Sequence, residues 1–322
     1  MSETVLVTGA DGLLGSACID LLLQQGSQVI AVIRDTDKRS RFFRDGLVEH
    51  CTEVRETLSS AARLLSEYRP DVVLHLAAQT QVPVANSDPL STFESNVRGT
   101  WLLMEACRTN GKTPSAIVVA SSDKAYGAGA LPYTEESPLK AVAPYDVSKA
   151  ATDLIARSYG QHFGLPVVVT RCGNIYGPGD LNEERLVPGV CLALARGEAP
   201  TLRSTGSMSR EWLYVEDAAQ ATLLLAKHSA AQKGSAFNIG GGETATASAI
   251  TERLIAASGQ QVTPETAETD PPGEIPHQSL DSSRIQDLGW SPQISLDEGL
   301  KQTWAWYRRS FSNPSLRVQG RA

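Results

Sequence analysis

Paired cysteines are missing from this sequence. The five cysteines, Cys18, Cys51, Cys107, Cys172 and Cys191, are scattered singly, with no CxxC pair. That spacing argues against a zinc site or a disulfide framework and suits reduced thiols in the core of a cytoplasmic protein. No apolar run approaches the roughly 18 residues needed to span a bilayer. No basic block is present and the net charge is −7, so nucleic acid is not an expected partner. The opening Met1-Ser2-Glu3-Thr4 has no basic n-region or cleavage site, so no secretion signal is expected. Internal repeats and low-complexity segments are absent as well. With 322 residues, the chain is long enough for a large core and two lobes.

What is present is an alternation of short apolar runs and longer amphipathic segments. The runs are Val5–Val7, Val29–Ile33, Val72–Leu76, Ala116–Ala120 and Val167–Val169; a helical pattern covers Leu13 to Gln25. Strands alternating with helices predict an α/β fold, a doubly wound parallel Rossmann sheet. After about residue 173 the rhythm changes. Gly173, Gly177, Pro178 and Gly179 mark a loop, and Pro188 precedes a helix pattern over Val190–Leu194. Thr201–Val215 reads as irregular strand and loop, Asp217 as the cap of a helix through Leu225, and Asp270–His277 as a proline-rich loop. Helix patterns recur near Ser248–Ala257 and over Leu296–Tyr307. The expected organisation is a dinucleotide-binding domain over 1–173, with later segments returning to it, a smaller interleaved substrate lobe over 174–310, and a frayed tail over 311–322.

Gly9-Ala10-Asp11-Gly12-Leu13-Leu14-Gly15 lies between the first strand and the first helix. Glycines there let a pyrophosphate approach backbone N–H groups at a helix N-terminus. The second strand ends in Arg34-Asp35. Asp35 suits the ribose 2′-hydroxyl of NAD, and Arg34 suits the 2′-phosphate of NADP, so both cofactors stay open. Glu53 and Val54 follow the third apolar segment, where Glu53 is either a partner for the adenine amine or an exposed acid.

Ser121-Ser122-Asp123-Lys124 follows the strand Ala116–Ala120, and Tyr145 precedes Lys149 by four residues. On a helix those two share a face, and an ammonium beside a phenol favours the phenolate. That arrangement moves a proton from a hydroxyl. His75, at a strand end, is expected to be buried rather than catalytic. Trp101 and Met104 read as core or interface residues, and Trp290, Trp304 and Trp306 as packing.

These motifs together resemble the extended short-chain dehydrogenase/reductase family, within it the NAD(P)-dependent nucleotide-sugar epimerases and dehydratases. The resemblance spans residues 4 to 307. It also rests on His75-Leu76-Ala77-Ala78-Gln79, Asn96-Val97-Arg98-Gly99-Thr100, Arg171-Cys172-Gly173-Asn174-Ile175-Tyr176-Gly177-Pro178-Gly179 and Arg210-Glu211-Trp212-Leu213-Tyr214-Val215-Glu216-Asp217. It implies that Tyr145 takes the sugar 4-hydroxyl proton, Lys149 holds the nicotinamide ribose, and Ser122 binds the same substrate oxygen. Leu76, Ala77, Ala78, Gln79, Asn96 and Cys172 join the cofactor site, with Asn96 also ordering the active-site helix. Thr80, Asn174, Arg185, Leu186, Val187 and Arg210 join Ser122 and Asp123 at the nucleotide-diphosphate sugar. A homodimer through the helices near 96–108 and 148–162 is implied too.

Many sugar 4,6-dehydratases carry Thr-Asp-Glu where this chain has Ser122-Asp123-Lys124, a pattern similar to the CDP-glucose 4,6-dehydratases; the Arg34 region is more like the GDP-mannose type. A dehydratase needs an acid and a base near C5 and C6. That makes Asp123 the C6 acid and Lys124 the C5 base, the lysine only where burial or a positive neighbour such as the oxidised cofactor depresses its pKa; the alternative is an ion pair between them at the pocket edge. A 4-epimerase and, next, a 4-ketoreductase remain the other readings. The family often carries a second arginine near Pro271-Pro272-Gly273-Glu274, and this chain has none there.

Overall fold

The computed structural model describes residues 2–270 and 275–311. Its twelve strands are β1 (Thr4–Thr8), β2 (Gln28–Ile33), β3 (Thr52–Arg55), β4 (Val72–His75), β5 (Ala116–Ala120), β6 (Val167–Cys172), β7 (Asn174–Tyr176), β8 (Thr201–Leu202), β9 (Ser209–Tyr214), β10 (Ser235–Ile239), β11 (Glu243–Thr246) and β12 (Glu265–Thr266). Seven form a sheet in the order β10-β6-β5-β4-β1-β2-β3. All its pairings are parallel.

Side chains alternate across that sheet because the strand period is two. Val5, Val7, Val29, Ala31, Leu74 and Val118 enter one core with the helices Leu13–Gln24 and Val215–His228. Leu6, Ile30, Val32, Val73, Ile117 and Val119 enter the other, with Ala61–Tyr68, Gly99–Thr109 and Pro144–Phe163. Burial on both faces is why the strands read as unbroken apolar runs. The strand order reverses between β1 and β4, and a crevice opens there beyond the carboxyl ends.

A smaller sheet, β11-β9-β7, packs with the helices Leu186–Arg196, Ala247–Ser258 and Leu296–Phe311 around Trp212, Trp304, Trp306 and Tyr307. β10 and the helix Val215–His228 return to the large sheet. Four local expectations change. Residues 209–214 form a regular strand. Pro188 lies inside its helix, which begins at Leu186. The last helix runs on to Phe311; residues 312–322 and the 271–274 segment lie outside the described residues. Asp217 does not cap the helix that starts at Val215. Its carboxylate instead accepts from the backbone N–H groups of Gln293 and Ile294, at 3.0 and 3.1 Å. Among the described residues no helix is long and apolar enough to cross a membrane.

Arg171 of β6 and Asp153 of the helix Pro144–Phe163 are fully buried. They pair bidentately at 2.7 and 2.9 Å. Arg171 Nη1 also donates to the Tyr126 hydroxyl at 2.9 Å and the Glu135 carbonyl at 3.0 Å. Tyr126 donates on to Asn238 Oδ1 at 2.6 Å. Breaking such a pair strands one charge in the interior. Arg171→Met is therefore expected to cost about 3–5 kcal/mol of folding stability, read as a lower urea midpoint; a midpoint equal to that of the wild type would remove this network from the account.

Candidate active site

One cavity of about 1680 Å³ lies over the carboxyl edge of the large sheet. Small-ligand pockets hold roughly 300–1000 Å³, so this one has room for two ligands side by side. Its walls follow the strand ends. Thr8, Gly9 and Asp11 to Gly15 come after β1, Arg34 and Asp35 after β2, Leu76 to Thr80 after β4, Ser122 and Lys124 after β5, and Cys172 and Asn174 after β6. Tyr145, Lys149, Arg185, Leu186 and Val187 complete the far end.

The glycine turn is built for a close backbone approach. Gly9 has φ of 68°, and a Cβ there would come within 2.8 Å of Ala77 backbone atoms. A Cβ on Gly15 would lie 2.1 Å from the Gly9 carbonyl oxygen. Gly12 caps the helix Leu13–Gln24, whose first turn holds no acidic residue. The positive end of that helix faces the cavity beside Asp11, with its backbone N–H groups free of a side-chain cap, which fits the pyrophosphate of a dinucleotide. Arg34 and Asp35 pair with each other at 2.7 Å and are 73% and 76% exposed. Asp37 and Arg39, which the sequence reading passed over, make a second pair at 2.7 Å on the same wall. Glu53 pairs with Arg55 at 2.6 Å. Neither Glu53 nor Val54 lines the cavity, and Val54 is buried in the core beneath.

Asn96 lies behind the wall. It accepts from Gln79 N at 2.7 Å and donates to the Gln79 carbonyl at 3.0 Å and to Ser148 Oγ at 2.9 Å. It ties the strand end after β4 to the helix bearing Tyr145. His75 is buried between Thr8 and Thr100, at 2.9 and 3.0 Å, and burial holds its pKa down at about 3. A ring kept neutral there serves structure, as expected.

Burial pushes the Tyr145 phenol up to about 12, opposed by the charge of Arg185. Burial also pulls the Lys149 ammonium down to about 8. Lys149 Nζ donates to the Ala120 carbonyl at 2.9 Å. The sequence pointed to Lys149 as the charge that favours the phenolate. In the structure the largest opposing charge belongs to Arg185, at the start of the helix Leu186–Arg196 and bound to Asp180 at 3.2 Å.

Ser122, Asp123 and Lys124 occupy a single turn that leaves β5. Ser122 Oγ donates to Asp123 Oδ1 at 2.9 Å and accepts from Lys124 N at 3.2 Å. Asp123 is buried behind Ser122, while Lys124 lines the cavity and donates to Gln278 Oε1 at 3.3 Å. Each side chain thus has its own hydrogen-bond partner, Ser122 for Asp123 and Gln278 for Lys124. Arg210 is nearly buried; its guanidinium donates to the Ser209 and Pro276 carbonyls at 2.9 and 3.3 Å, and it does not line the cavity. The segment where relatives often carry a second arginine lies outside the described residues.

A doubly wound sheet, a glycine cradle and a Ser/Tyr/Lys set in one cavity define an enzyme of the extended short-chain dehydrogenase/reductase kind. The chain belongs to the NAD dependent epimerase/dehydratase family, whose model matches residues 5–240. The dTDP-glucose 4,6-dehydratase of Streptomyces griseus is 32% identical over 333 residues, covering 97% of this chain and 96% of the relative. The crystal structure of DesIV, a dTDP-glucose 4,6-dehydratase from Streptomyces venezuelae with NAD bound, is 30% identical with a TM-score of 0.85, covering 95% of this chain and 97% of that one. The UDP-glucose 4-epimerase of Thermotoga maritima, crystallised with UDP-glucose, is 28% identical with a TM-score of 0.85, over 95% of this chain and 99% of that one.

The depressed Lys149 pKa has a measurable consequence. Its folded value, about 8, lies below the ordinary 10.5. The stability linked to it is therefore present above pH 10.5 and lost as pH falls through 8. At pH 7 the buried charge costs up to about 3 kcal/mol, offset by about 1 kcal/mol for the bond to Ala120. Lys149→Met should unfold at a higher temperature than the wild type at pH 7, with the gap closing by pH 10.5. A gap that stays constant with pH would exclude this account.

Proposed function

We propose that this protein is a nucleotide-sugar 4,6-dehydratase that binds NAD in the glycine cradle and a nucleoside-diphosphate glucose at the far end of the cavity. The observation that carries the reading is the Ser122-Asp123-Lys124 turn, which sets Lys124 into the same cavity as Tyr145. The relatives named dTDP-glucose 4,6-dehydratase make dTDP-glucose the first substrate to test. In this reading residues 1–173 hold the cofactor and residues 174–310 mainly the sugar nucleotide.

The cradle of Gly9, Gly12 and Gly15 would hold NAD, which when bound would supply the hydride acceptor for C4 and the hydride donor for C6. Tyr145 takes the 4-hydroxyl proton, with Ser122 hydrogen-bonded to the same oxygen. Lys124, as the free amine, takes the C5 proton. Asp123, which is buried and does not line the cavity, gives a proton to the C6 oxygen by turning from Ser122 into the cavity; that oxygen leaves as water, and a proton returns to C5. Two protons leave the sugar, from O4 and C5. Two are used, on the departing oxygen and at C5, so the steps balance. Arg185 beside Tyr145 favours the phenolate. Asn174, together with Arg185, Leu186 and Val187, supplies the donors and walls for the sugar diphosphate. Arg210 reaches that group only by leaving its carbonyl partners.

Incubation with NAD and dTDP-glucose should give a product lighter by one water in the mass spectrum. Tyr145→Phe should lower turnover by at least about a hundredfold. Lys124→Ala should stop C5 exchange with solvent deuterium while C4 oxidation continues. An isomer of unchanged mass would overturn dehydration in favour of 4-epimerisation, a reading that the equally close fit to the Thermotoga maritima epimerase keeps in view. Stoichiometric loss of reduced cofactor would point to a 4-ketoreductase.

The five thiols are all unpaired, which suits the reducing cytoplasm. We place a homodimer on the helices Gly99–Thr109 and Pro144–Phe163. They pack together and expose Trp101 at 43%, Leu154 at 56% and Phe163 at 50%. Large apolar side chains on adjacent helices, ringed by the Arg98–Glu94 and Arg108–Glu105 pairs, fit a second copy of the same surface. The double variant Trp101→Glu, Leu154→Glu should sediment as a monomer while remaining folded; a wild type that itself sediments as a monomer would remove the dimer.

A further inference from the structure

Gln278 lies outside every motif that carries the chemistry, yet it holds the side chain on which the choice of reaction turns. It is 1% exposed. Its Oε1 accepts from Lys124 Nζ at 3.3 Å, while its buried Nε2 has no hydrogen-bond partner among the described residues. An ammonium or amine offers donors to an amide oxygen, so this orientation of the amide follows from the Lys124 contact. The backbone around Gln278 is anchored on two sides. Gln278 N donates to the Ser209 carbonyl at 3.2 Å, and Leu280 N donates to Glu211 Oε2 at 2.6 Å. Leu280 also bridges to Tyr133. The acceptor is thus presented from a fixed backbone, 154 residues away in sequence from the lysine it meets.

We propose that Gln278 is the positioning residue for Lys124, its amide oxygen aiming the amine at the C5 proton of the bound sugar. The proposal rests on Lys124 being the C5 base. Lysine has a four-carbon stem with many rotamers, and a base misplaced by about 1 Å can lose on the order of a hundredfold in rate. A free amine has two N–H donors and one lone pair. Directing one N–H at Oε1 turns the lone pair to another side of the nitrogen, and Lys124 lines the cavity there. An uncharged acceptor does this without forming an ion pair. The smaller sheet's neighbourhood thereby reaches across to a turn of the larger sheet.

The test compares wild type, Gln278→Leu, Lys124→Ala and the double variant, each with NAD and dTDP-glucose in deuterated water. Deuterium at C5 and transient nicotinamide reduction are followed separately. Gln278→Leu should slow C5 exchange by about tenfold or more while C4 oxidation stays within about twofold. Adding it to Lys124→Ala should change neither rate, because the two residues act as one unit. Should the leucine variant fail to fold, Gln278→Met keeps the length without the acceptor. In the ligand-free protein, carbon relaxation at Lys124 Cε should show a more mobile side chain in the Gln278 variant. Wild-type C5 exchange, an equal loss of C4 oxidation, a further loss in the Lys124→Ala background, or unchanged Lys124 mobility would each overturn the proposal. If Lys124→Ala exchanges C5 normally, the base assignment itself fails and this proposal falls with it. If Lys124→Ala loses exchange and Gln278→Leu keeps it, only the positioning role is lost.

Discussion

The buried Asp153–Arg171 pair is the contact from which the site's geometry hangs. Two opposite charges in a dry interior are tolerable only when both are fully hydrogen-bonded. Arg171 meets that demand by spending its remaining donor on the Tyr126 hydroxyl and the Glu135 carbonyl. Tyr126 ends the short turn that begins at Asp123 and also stacks on Tyr133, with ring centroids 4.7 Å apart. Asn238 of β10 accepts from the Tyr126 hydroxyl and donates to the Tyr133 and Asp281 carbonyls at 2.9 and 3.0 Å. One pair therefore joins the Tyr145 helix, the Asp123 turn, β10 and the start of the C-terminal segment. The electrostatic penalty of leaving any of these groups unpaired makes their relative position an all-or-none property.

That rigidity lets burial do chemical work on Tyr145 and Lys149. Removing water raises the phenol and lowers the ammonium, so each is held away from its charged form before any ligand arrives. Arg185 opposes the shift on Tyr145 from the other side of the cavity. A bound oxidised nicotinamide would bring a positive charge of its own, which near the phenol would act in the same sense as Arg185.

Much of this was legible in the sequence, and the part that was not has a common cause. The strands of the large sheet stood out because burial on both faces makes continuous apolar runs. The glycine turn and the Ser122, Tyr145 and Lys149 positions stood out because their chemistry depends on local spacing. β9 was hidden: Arg210 and Glu211 sit in mid-strand and read as loop. In the fold Glu211 is buried and accepts from Gly242 N and Leu280 N, while Arg210 finds backbone carbonyls. Asp217 looked like a cap because of its place before an apolar run, but backbone donors 76 and 77 residues away claim both its oxygens. Gln278 follows a proline-rich stretch and carries no local pattern at all. Contacts made across the chain by single polar side chains leave no periodicity to read.

The same distinction separates the two halves of the catalytic turn. Tyr145 stands on a long helix and moves through two side-chain torsions, and its ring is packed by its surroundings. Chemistry at C4 is thus secured by elements that local sequence specifies. Lys124 has a flexible stem and stands on a four-residue turn, so its placement needs restraint from outside. Arg171 restrains the turn from behind through Tyr126, and Gln278 restrains the amine from the front. Loss of water rather than inversion at C4 requires a base held at C5 while the ketone exists. In the proposed reaction that requirement falls on a lysine whose restraints come from opposite ends of the sequence, so the step that would choose the reaction is also the one most sensitive to how the two sheets meet.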